Sequence, residues 1–201
     1  MALSKTRSNE DYRTCIESAA EEYARLTRMV DALLFLARTE QPDSLLDKKS
    51  LILEQEIATV SAFYQAMADE QGVILATRGE GTVFANSGML QRVLGNLVIN
   101  ALRHSTRDGR INIEGKETPE QGAQIVISDT GEGIAAEDLH HVFDRFYCND
   151  SARSRSGSGT GLGLAIVKSI MQLHAGTVSI RSERHQGTVV TLTFPAPPTS
   201  H

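Results

Sequence analysis

The clearest candidate for chemistry is the segment 156–168, which reads SGSGTGLGLAIVK. Its four glycines occupy alternate positions directly before an apolar run with helical spacing. Because glycines let the main chain approach a ligand closely, and a helix start offers unpaired N–H groups to an anion, this segment predicts a phosphate-binding loop. It lacks the lysine of a Walker A loop and the third glycine of a dinucleotide fingerprint. A flexible glycine–serine linker is the alternative interpretation.

A second candidate lies on the helix that the sequence predicts around residues 88–104. Asn96 and Asn100 are spaced to share one face of that helix, and Arg103 follows one turn later. Amide oxygens suit a hard cation such as Mg²⁺, which shares its coordination shell with phosphates, and a basic side chain suits the same phosphates. The alternative is a pair of surface asparagines, although asparagine is a poor helix former.

The third candidate is the stretch 129–134, DTGEGI, which directly follows a predicted strand. A carboxylate at a strand end, beside glycines that let a flat ring approach, can accept a hydrogen bond from an adenine amino group. We therefore predict that Asp129 recognises the base. The alternative is an Asx-type turn, in which the carboxylate accepts a hydrogen bond from a nearby backbone N–H.

An aromatic stretch, FDRFY at 143–147, precedes the polar segment 148–158. Its phenylalanines are expected to anchor in the core. Among the arginines in and after this stretch, Arg145 is the strongest candidate for a phosphate contact.

The elements that must position these residues begin with a long amphipathic helix from Asn9 to about Arg38. Its apolar residues recur at steps of three and four, and Ser8 with Asp11 supplies a start resembling a capping box. A lone helix cannot bury such a seam, so we expect it to pair with another helix or another copy of the chain. We assign residues 1–40 to this dimerisation unit and residues 41–50 to a polar linker.

Residues 51–197 read as a second unit of α+β character. Apolar periodicity predicts helices from 53 to 67 and 90 to 101, and strands at 73–75, 111–113, 124–127, 177–180 and 188–194. The strands at 111–113 and 124–127 form a predicted hairpin, and the last two strands form a second antiparallel pair. The fold class that follows is a mixed or antiparallel sheet with helices on one face.

Composition excludes several classes of protein. Twenty basic and 25 acidic residues, a net charge of −5, provide no basic surface for nucleic acid. Cys15 and Cys148 belong to no C-x-x-C pair, so neither a disulfide framework nor a zinc site is expected and a reducing cytoplasm is the natural compartment. No apolar run is long enough to span a bilayer, which predicts a soluble piece.

Taken in order, NLVINALRHS (96–105), DTGEGI (129–134), FDRFY (143–147) and GTGLGLAIVK (159–168) resemble the N, G1, F and G2 boxes of bacterial sensor histidine kinases. These kinases belong to a superfamily of ATP-binding proteins that includes gyrase and MutL and shares the Bergerat-type α/β sandwich. The upstream segment EYARLTRMVDALLFLA resembles the second helix of their dimerisation and phosphotransfer domain. The chain is most similar to the heavy-metal, particularly copper, sensor kinases.

The resemblance implies a role for each matched position. Asn96 and Asn100 would bind Mg²⁺, Arg103 would contact phosphate, and Asp129 would bind the adenine amino group of ATP. The remaining positions that it places at the nucleotide are His104, Gly131, Gly133, Ile134, Phe146, Gly159, Thr160, Gly161, Leu162, Gly163 and Leu164. Gly131 and Gly133 would make room for the ring, and Gly159, Gly161 and Gly163 would supply the backbone of a lid over the phosphates.

One matched position separates the branches of the superfamily. Its hydrolases carry a glutamate, which activates water, four residues before the Mg²⁺-binding asparagine, and this sequence has Asn96 there. The resemblance therefore favours phosphoryl transfer to a protein over hydrolysis. Two alternatives remain at this stage, a water-hydrolysing ATPase of the same superfamily and a nucleotide-regulated dimerisation module without chemistry.

The phosphoacceptor box of the sensor kinases has no counterpart here. None of the six histidines lies in a context like S-H-E-[LIF]-R-T-P. We therefore expect a fragment that lacks the acceptor helix and supplies only the phosphoryl donor site. The intact protein is expected to be a homodimer anchored in the inner membrane, with this part in the cytoplasm and a response regulator as its partner.

Overall fold

The computed structural model describes residues 8–39, 46–118, 122–147 and 160–198. In chain order its elements are α1 (Asn9–Thr39), β1 (Lys49–Ile52), α2 (Leu53–Gln71), β2 (Ile74–Glu80), β3 (Thr82–Ala85), α3 (Ser87–His104), β4 (Arg110–Thr118), β5 (Gly122–Asp129), α4 (Gly163–Leu173), β6 (Thr177–Ser182) and β7 (Thr188–Phe194). Within these residues, no helix has both the length and the apolar character needed to cross a membrane.

The strands form a five-stranded sheet in the order β2-β4-β5-β7-β6 and a separate antiparallel pair, β1 with β3. Strand β2 runs parallel to β4, whereas the other neighbours in the large sheet are antiparallel. The predicted mixed sheet and both predicted antiparallel pairs are confirmed. Strands β1 and β3 have no counterpart among the predicted elements, and β2 extends to Glu80 rather than ending at residue 75.

Alternation along the central strands places every second side chain in the core. On that face lie the buried residues Ile111, Ile113, Ala123, Ile125, Ile127, Val190, Leu192 and Phe194. Helices α2, α3 and α4 contact this sheet, and the side chains between them form one continuous core. The predicted arrangement of helices on one face is therefore confirmed.

A capping side chain stabilises the start of α3, and a glycine in its middle allows close packing against α2. The side chain of Asn86 accepts a hydrogen bond from the Met89 N–H at 3.0 Å, which satisfies a donor of the first turn. At Gly95, a Cβ atom would lie 2.9 Å from the Tyr64 hydroxyl oxygen. The missing side chain lets α2 and α3 approach, and the apolar face of α3 is then buried against the core.

Helix α1 has two apolar faces rather than the single seam that the sequence predicts. The predicted seam is exposed and includes Ile16, Tyr23, Leu26, Val30, Leu33 and Leu34. On another side of the helix, Ala32 and Leu36 are buried in the core of the second unit. The ring of Phe35 lies 4.0 Å from the Arg92 guanidinium carbon, a cation–π contact between α1 and α3.

The start of α1 and the segment that follows the helix were both predicted from the sequence. The capping box is confirmed, since the Asp11 N–H donates to the Ser8 hydroxyl at 3.2 Å and the Ser8 N–H donates to the Asp11 carboxylate at 3.0 Å. Lys49 and Ser50, at the C-terminal end of the predicted linker 41–50, belong to β1. A four-residue strand alternates too briefly to be recognised without its partner β3.

His174, directly after α4, is a buried polar side chain, only 1% exposed. Its Nδ1–H donates to the Ile170 carbonyl at 2.8 Å, and its Nε2 accepts the Asn86 N–H at 3.1 Å. This pattern requires the neutral imidazole. Burial lowers the pKa of His174, and the charge of Lys48 acts in the same direction, while the Ile170 hydrogen bond opposes the shift.

This lowered pKa predicts a loss of stability in acid. The unfolded chain binds a proton more readily than the folded one, so the free energy of unfolding should fall as pH drops below the ordinary histidine pKa of 6.5. Replacing His174 with Phe should cost about 1–3 kcal/mol at pH 7.5, because the Asn86 N–H loses its partner, and should reduce the pH dependence. Denaturant unfolding at pH 7.5 and 5.5 measures both effects. The exposed His140→Gln variant is the control, and a His174→Phe variant with the wild-type pH dependence would contradict the assignment.

Candidate functional site

The phosphate-loop candidate and the asparagine pair meet where α3 passes the start of α4. The Asn96 side-chain N–H donates to the Arg92 carbonyl at 2.8 Å, which directs its oxygen away from the helix. A Cβ atom at Gly163 would lie 3.3 Å from that oxygen, so Gly163 and Asn96 are neighbours in space. Two segments separated by more than sixty residues therefore form one end of the site.

Helix α4 starts without a side-chain cap. Its N-cap residue, Leu162, is completely buried and makes no capping hydrogen bond. The Leu162 side chain thus anchors the helix start in the core, and Leu164 packs against the same core. The backbone N–H groups of the first turn lie beside Asn96, where the positive end of the helix dipole favours an anion.

Asn100 and Arg103 extend this end of the site along α3. Both are half-buried, and they follow Asn96 at helical spacing on the same side of the helix. The predicted row of two amides and one guanidinium is therefore on a regular helix, as the sequence requires. Its chemistry suits a hard cation shared with phosphate oxygens.

The other end of the site is built around Asp129 at the end of β5. One carboxylate oxygen accepts the Gly131 N–H at 2.9 Å, which is the Asx-type hydrogen bond of the alternative interpretation. The Thr188 backbone N–H also donates to this carboxyl group. Burial raises the pKa of Asp129, and these two hydrogen bonds and the nearby His104 oppose the shift. A carboxylate has two oxygens and about four lone-pair positions, so these two contacts leave Asp129 able to accept from a further donor.

His104 connects the end of α3 to the loop 130–135. Its carbonyl accepts the Glu132 N–H at 3.1 Å. Burial lowers the pKa of the His104 ring, which the charges of Glu132 and Asp129 partly offset, whereas Arg103 lowers it further. The ring is thus neutral near pH 7 and can face an uncharged base without placing a charge in the half-buried site.

The glycines of this region are required by contacts of the protein with itself. Gly133 has φ of +67°, and a Cβ atom there would collide with the Glu183 carbonyl. Gly187 has φ of +83°, and its Cβ atom would collide with the Asp129 carbonyl. The turn between β6 and β7 therefore packs directly on the loop 130–135, a contact for which the sequence carries no local signal. The role of Gly131 and Gly133 in admitting a ring stays a prediction.

The aromatic stretch joins the glycine loop through a backbone contact. Phe146 has φ of +64°, and its N–H donates to the Gly161 carbonyl at 3.0 Å. Gly161 has φ of +67°, and a Cβ atom there would lie 2.5 Å from the Phe146 carbonyl carbon. Thr160 is half-buried and Arg145 is exposed beside this junction. Gly159 lies outside the described residues, and its role in the lid stays a prediction.

The part of the chain that holds the candidate site matches a known family. A family model described as histidine kinase-, DNA gyrase B-, and HSP90-like ATPase matches residues 85–198, from the start of α3 past the end of β7. That range is more than half of the chain and holds the whole candidate site. The chain therefore belongs to this family of ATP-binding domains.

Among curated proteins, the sensor protein IrlS of Burkholderia pseudomallei (strain K96243) is 44% identical over 196 residues, which is 98% of this chain and 42% of IrlS. The sensor histidine kinase CusS of Escherichia coli (strain K12) is 39% identical over 197 residues, 98% of this chain and 41% of CusS. The chain thus spans about two fifths of the length of these relatives.

Among solved structures, full-length ShkA in complex with AMPPNP superimposes with a TM-score of 0.78 at 22% identity, covering 96% of this chain and 41% of ShkA. This likeness shows the fold of the histidine kinase catalytic region and its preceding helix. The expected Bergerat-type architecture is confirmed.

The backbone junction at Gly161 predicts a sensitive position. Gly161→Ala places a side chain at positive φ against the Phe146 backbone, so ATP affinity should fall by about 10-fold or more, given that a left-handed non-glycine residue costs roughly 1–2 kcal/mol before any contact is counted. Gly88→Ala on α3 is the matched control and should bind ATP normally, because its Cβ atom would make only an ordinary van der Waals contact, 3.6 Å from the Asn86 side-chain oxygen. Calorimetric titration with ATP and thermal unfolding measure both variants. Equal affinity of Gly161→Ala and wild type would exclude a role for this junction.

Proposed function

We propose that this chain is the catalytic part of a sensor histidine kinase, which binds Mg²⁺-ATP and donates the γ-phosphate to a histidine on another helix of the intact protein. The observation that carries the proposal is the junction of Asn96 with the start of α4, in a domain whose family binds ATP. A hard-ligand amide and uncapped helix N–H groups meet there, which is the chemistry that a metal-bound polyphosphate needs.

At the phosphate end of the site, one set of residues would bind Mg²⁺ and another would bind the phosphates. Asn96 and Asn100 would hold Mg²⁺, and their neutral amide oxygens fit an ion that retains several waters and shares phosphate oxygens. When bound, Mg²⁺ would neutralise charge on the transferring phosphoryl group. Arg103 and Arg145 would contact the phosphates, and the backbone of residues 160–164 would bind them at the start of α4.

The base end would recognise adenine through Asp129. Its carboxylate is already oriented by the Gly131 and Thr188 N–H groups, so little reordering is needed to accept a hydrogen bond from the amino group. The neutral ring of His104 and the apolar side chain of Ile134 would contact the nucleotide without adding charge. Phe146 would contribute an aromatic surface near the lid junction.

Transfer to a protein is favoured over hydrolysis by the group at position 96. A hydrolase needs a general base to remove a proton from water, and an amide cannot do this. Moreover, the Asn96 N–H is engaged by the Arg92 carbonyl, which supports a fixed, ligating orientation. We therefore propose that this site aligns ATP for attack by a nucleophile supplied from outside it.

That nucleophile would be a histidine on a helix packed against α1. None of the histidines of this sequence, His104, His140, His141, His174, His185 and His201, has the acceptor context. The exposed apolar stripe of α1 supports pairing with such a helix and with a second copy of the protein. We further propose an inner-membrane homodimer that responds to copper or a related heavy metal and phosphorylates a response regulator.

The metal site predicts that Asn100→Ala weakens Mg²⁺-ATP selectively. Loss of one oxygen ligand should cost about 1–3 kcal/mol in the presence of Mg²⁺ and little in its absence, because metal-free ATP does not use that ligand. Calorimetric titrations with and without EDTA measure the difference. Gln65→Ala, which removes an exposed amide from α2, is the control, and equal losses with and without Mg²⁺ would reject the ligand assignment.

The missing acceptor predicts that this chain binds ATP without labelling itself. Transfer requires the nucleophile about 3–3.5 Å from phosphorus, and no histidine here is expected to reach that position. Incubation with γ-labelled ATP should therefore produce no acid-labile, alkali-stable phosphate. Adding the acceptor helix of the intact protein should restore labelling on that helix, whereas phosphohistidine on this chain alone would overturn the donor-only proposal.

A further inference from the structure

The end of β6 and the start of β7 carry a hydroxyl cluster that contacts the loop 130–135. The Ser182 hydroxyl accepts the Ile134 N–H at 2.8 Å and donates to the Gly187 carbonyl at 2.7 Å. Its oxygen also lies 3.0 Å from the Thr188 hydroxyl oxygen. Ser182 therefore links the loop to the hairpin that packs on it.

The hydrogen-bonding capacity of this hydroxyl is fully used. A serine hydroxyl has one proton and two acceptor lone pairs. Its proton is given to Gly187, so the Ile134 N–H and the Thr188 hydroxyl occupy the two lone pairs. Because all three contacts are satisfied together, the rotamer of Ser182 and the position of the Ile134 backbone depend on each other.

The same cluster reaches the carboxylate at the opposite end of the loop. Thr188, whose hydroxyl contacts Ser182, donates its backbone N–H to Asp129. Ser182 thus joins the residue that holds Asp129 to the residue that ends the loop, Ile134. Between them, the loop is held by backbone bonds from Glu132 to His104 at 3.1 Å and from His185 to Glu132 at 2.7 Å.

We propose that Ser182 is a positioning residue for adenine recognition. It does not touch the nucleotide; its hydroxyl sets the separation between Asp129 and the Ile134 backbone, so that the carboxylate meets the amino group of the base. The inference rests on the proposed function, in which Asp129 binds adenine. It adds a determinant of base selectivity located on β6, more than forty residues beyond the loop in sequence.

The test compares Ser182→Ala with Ser182→Thr, which retains the hydroxyl and suits a strand, and with Ser182→Cys, which retains the size but bonds weakly. Ser179→Ala is the matched control, because Ser179 is an exposed serine on the same strand. Affinities for ATP, ADP and inosine triphosphate are measured by calorimetry. Inosine triphosphate carries a carbonyl in place of the adenine amino group, so the ratio of ATP to inosine triphosphate affinity reports the Asp129 contact.

Amide hydrogen exchange of Ile134 is followed by NMR without nucleotide.

Ser182→Ala should lower ATP and ADP affinity together by about 10-fold, because roughly one hydrogen bond's contribution is lost. It should also reduce the ratio of ATP to inosine triphosphate affinity. Amide exchange of Ile134 should become faster by a similar factor. Ser182→Thr should restore all three, and Ser179→Ala should match wild type. If Ser182→Ala does not fold, the Cys and Thr variants provide the comparison, and equal selectivity in those two overturns the proposal.

Other outcomes separate this inference from the proposed function. If wild type binds ATP and Ser182→Ala retains its selectivity ratio, or loses affinity for all three nucleotides equally, Ser182 does not position the base. If wild type binds no ATP, the proposed function fails, and unchanged Ile134 exchange in Ser182→Ala would then also overturn the contact between Ser182 and the loop.

Discussion

The burial of α3 is the constraint on which the rest of the structure depends. Its apolar side is completely covered by the sheet and by α2 and α4, with Leu90, Val93, Leu94 and Val98 at 0% exposure. A helix held in this way has only one rotational setting, because turning it would expose those side chains at about 1.5–3 kcal/mol each. This orientation places Asn96, Asn100 and Arg103 on one side of the helix. It also places the His104 carbonyl against the loop 130–135.

Three contacts along α3 then connect the two ends of the site. At its start, the Asn86 N–H donates to His174 and so links α3 to the end of α4. In its middle, Asn96 meets Gly163 at the start of α4. At its end, the His104 carbonyl accepts the Glu132 N–H. The proposed phosphate end and the proposed base end of the site are thus positioned by one helix. Their separation is therefore fixed, as the proposed nucleotide ligand requires.

Helix α1 adds a further relation between packing and the proposed activity. Its packed face, which includes Ala32, Phe35 and Leu36, lies roughly 165° from its exposed stripe around the helix at 3.6 residues per turn. Contact with α3 and α4 therefore leaves the exposed stripe free to pair with another helix. Burial of Arg92 at this interface lowers its pKa, which the charge of Asp31 opposes, so the interface includes a half-buried cation close to Asn96 in sequence.

The sequence by itself determined the local chemistry: which segments are helices, that Asn96, Asn100 and Arg103 share a face, and that Asp129 ends a strand beside glycines. It also determined the mixed α+β class, because helical and strand periodicities are local properties of side chains. These features need no knowledge of distant residues. The order of the four boxes also indicated the family, because four such motifs in this order form a specific pattern.

Tertiary structure alone decided what those segments touch. Nothing local distinguishes the face of α1 that contains Leu36 from the stripe that contains Val30, since both are apolar at helical spacing and only contact with α3 and α4 selects one. Strands β1 and β3 are too short to alternate recognisably and exist through pairing with each other. Ser182 has no sequence signal either, because a serine at a strand end is common and its role arises only when Gly133 and Gly187 let two backbones meet. Such contacts depend on the spatial distance between residues that are far apart in the chain. The packing of the core sets that distance, and it cannot be inferred from local sequence.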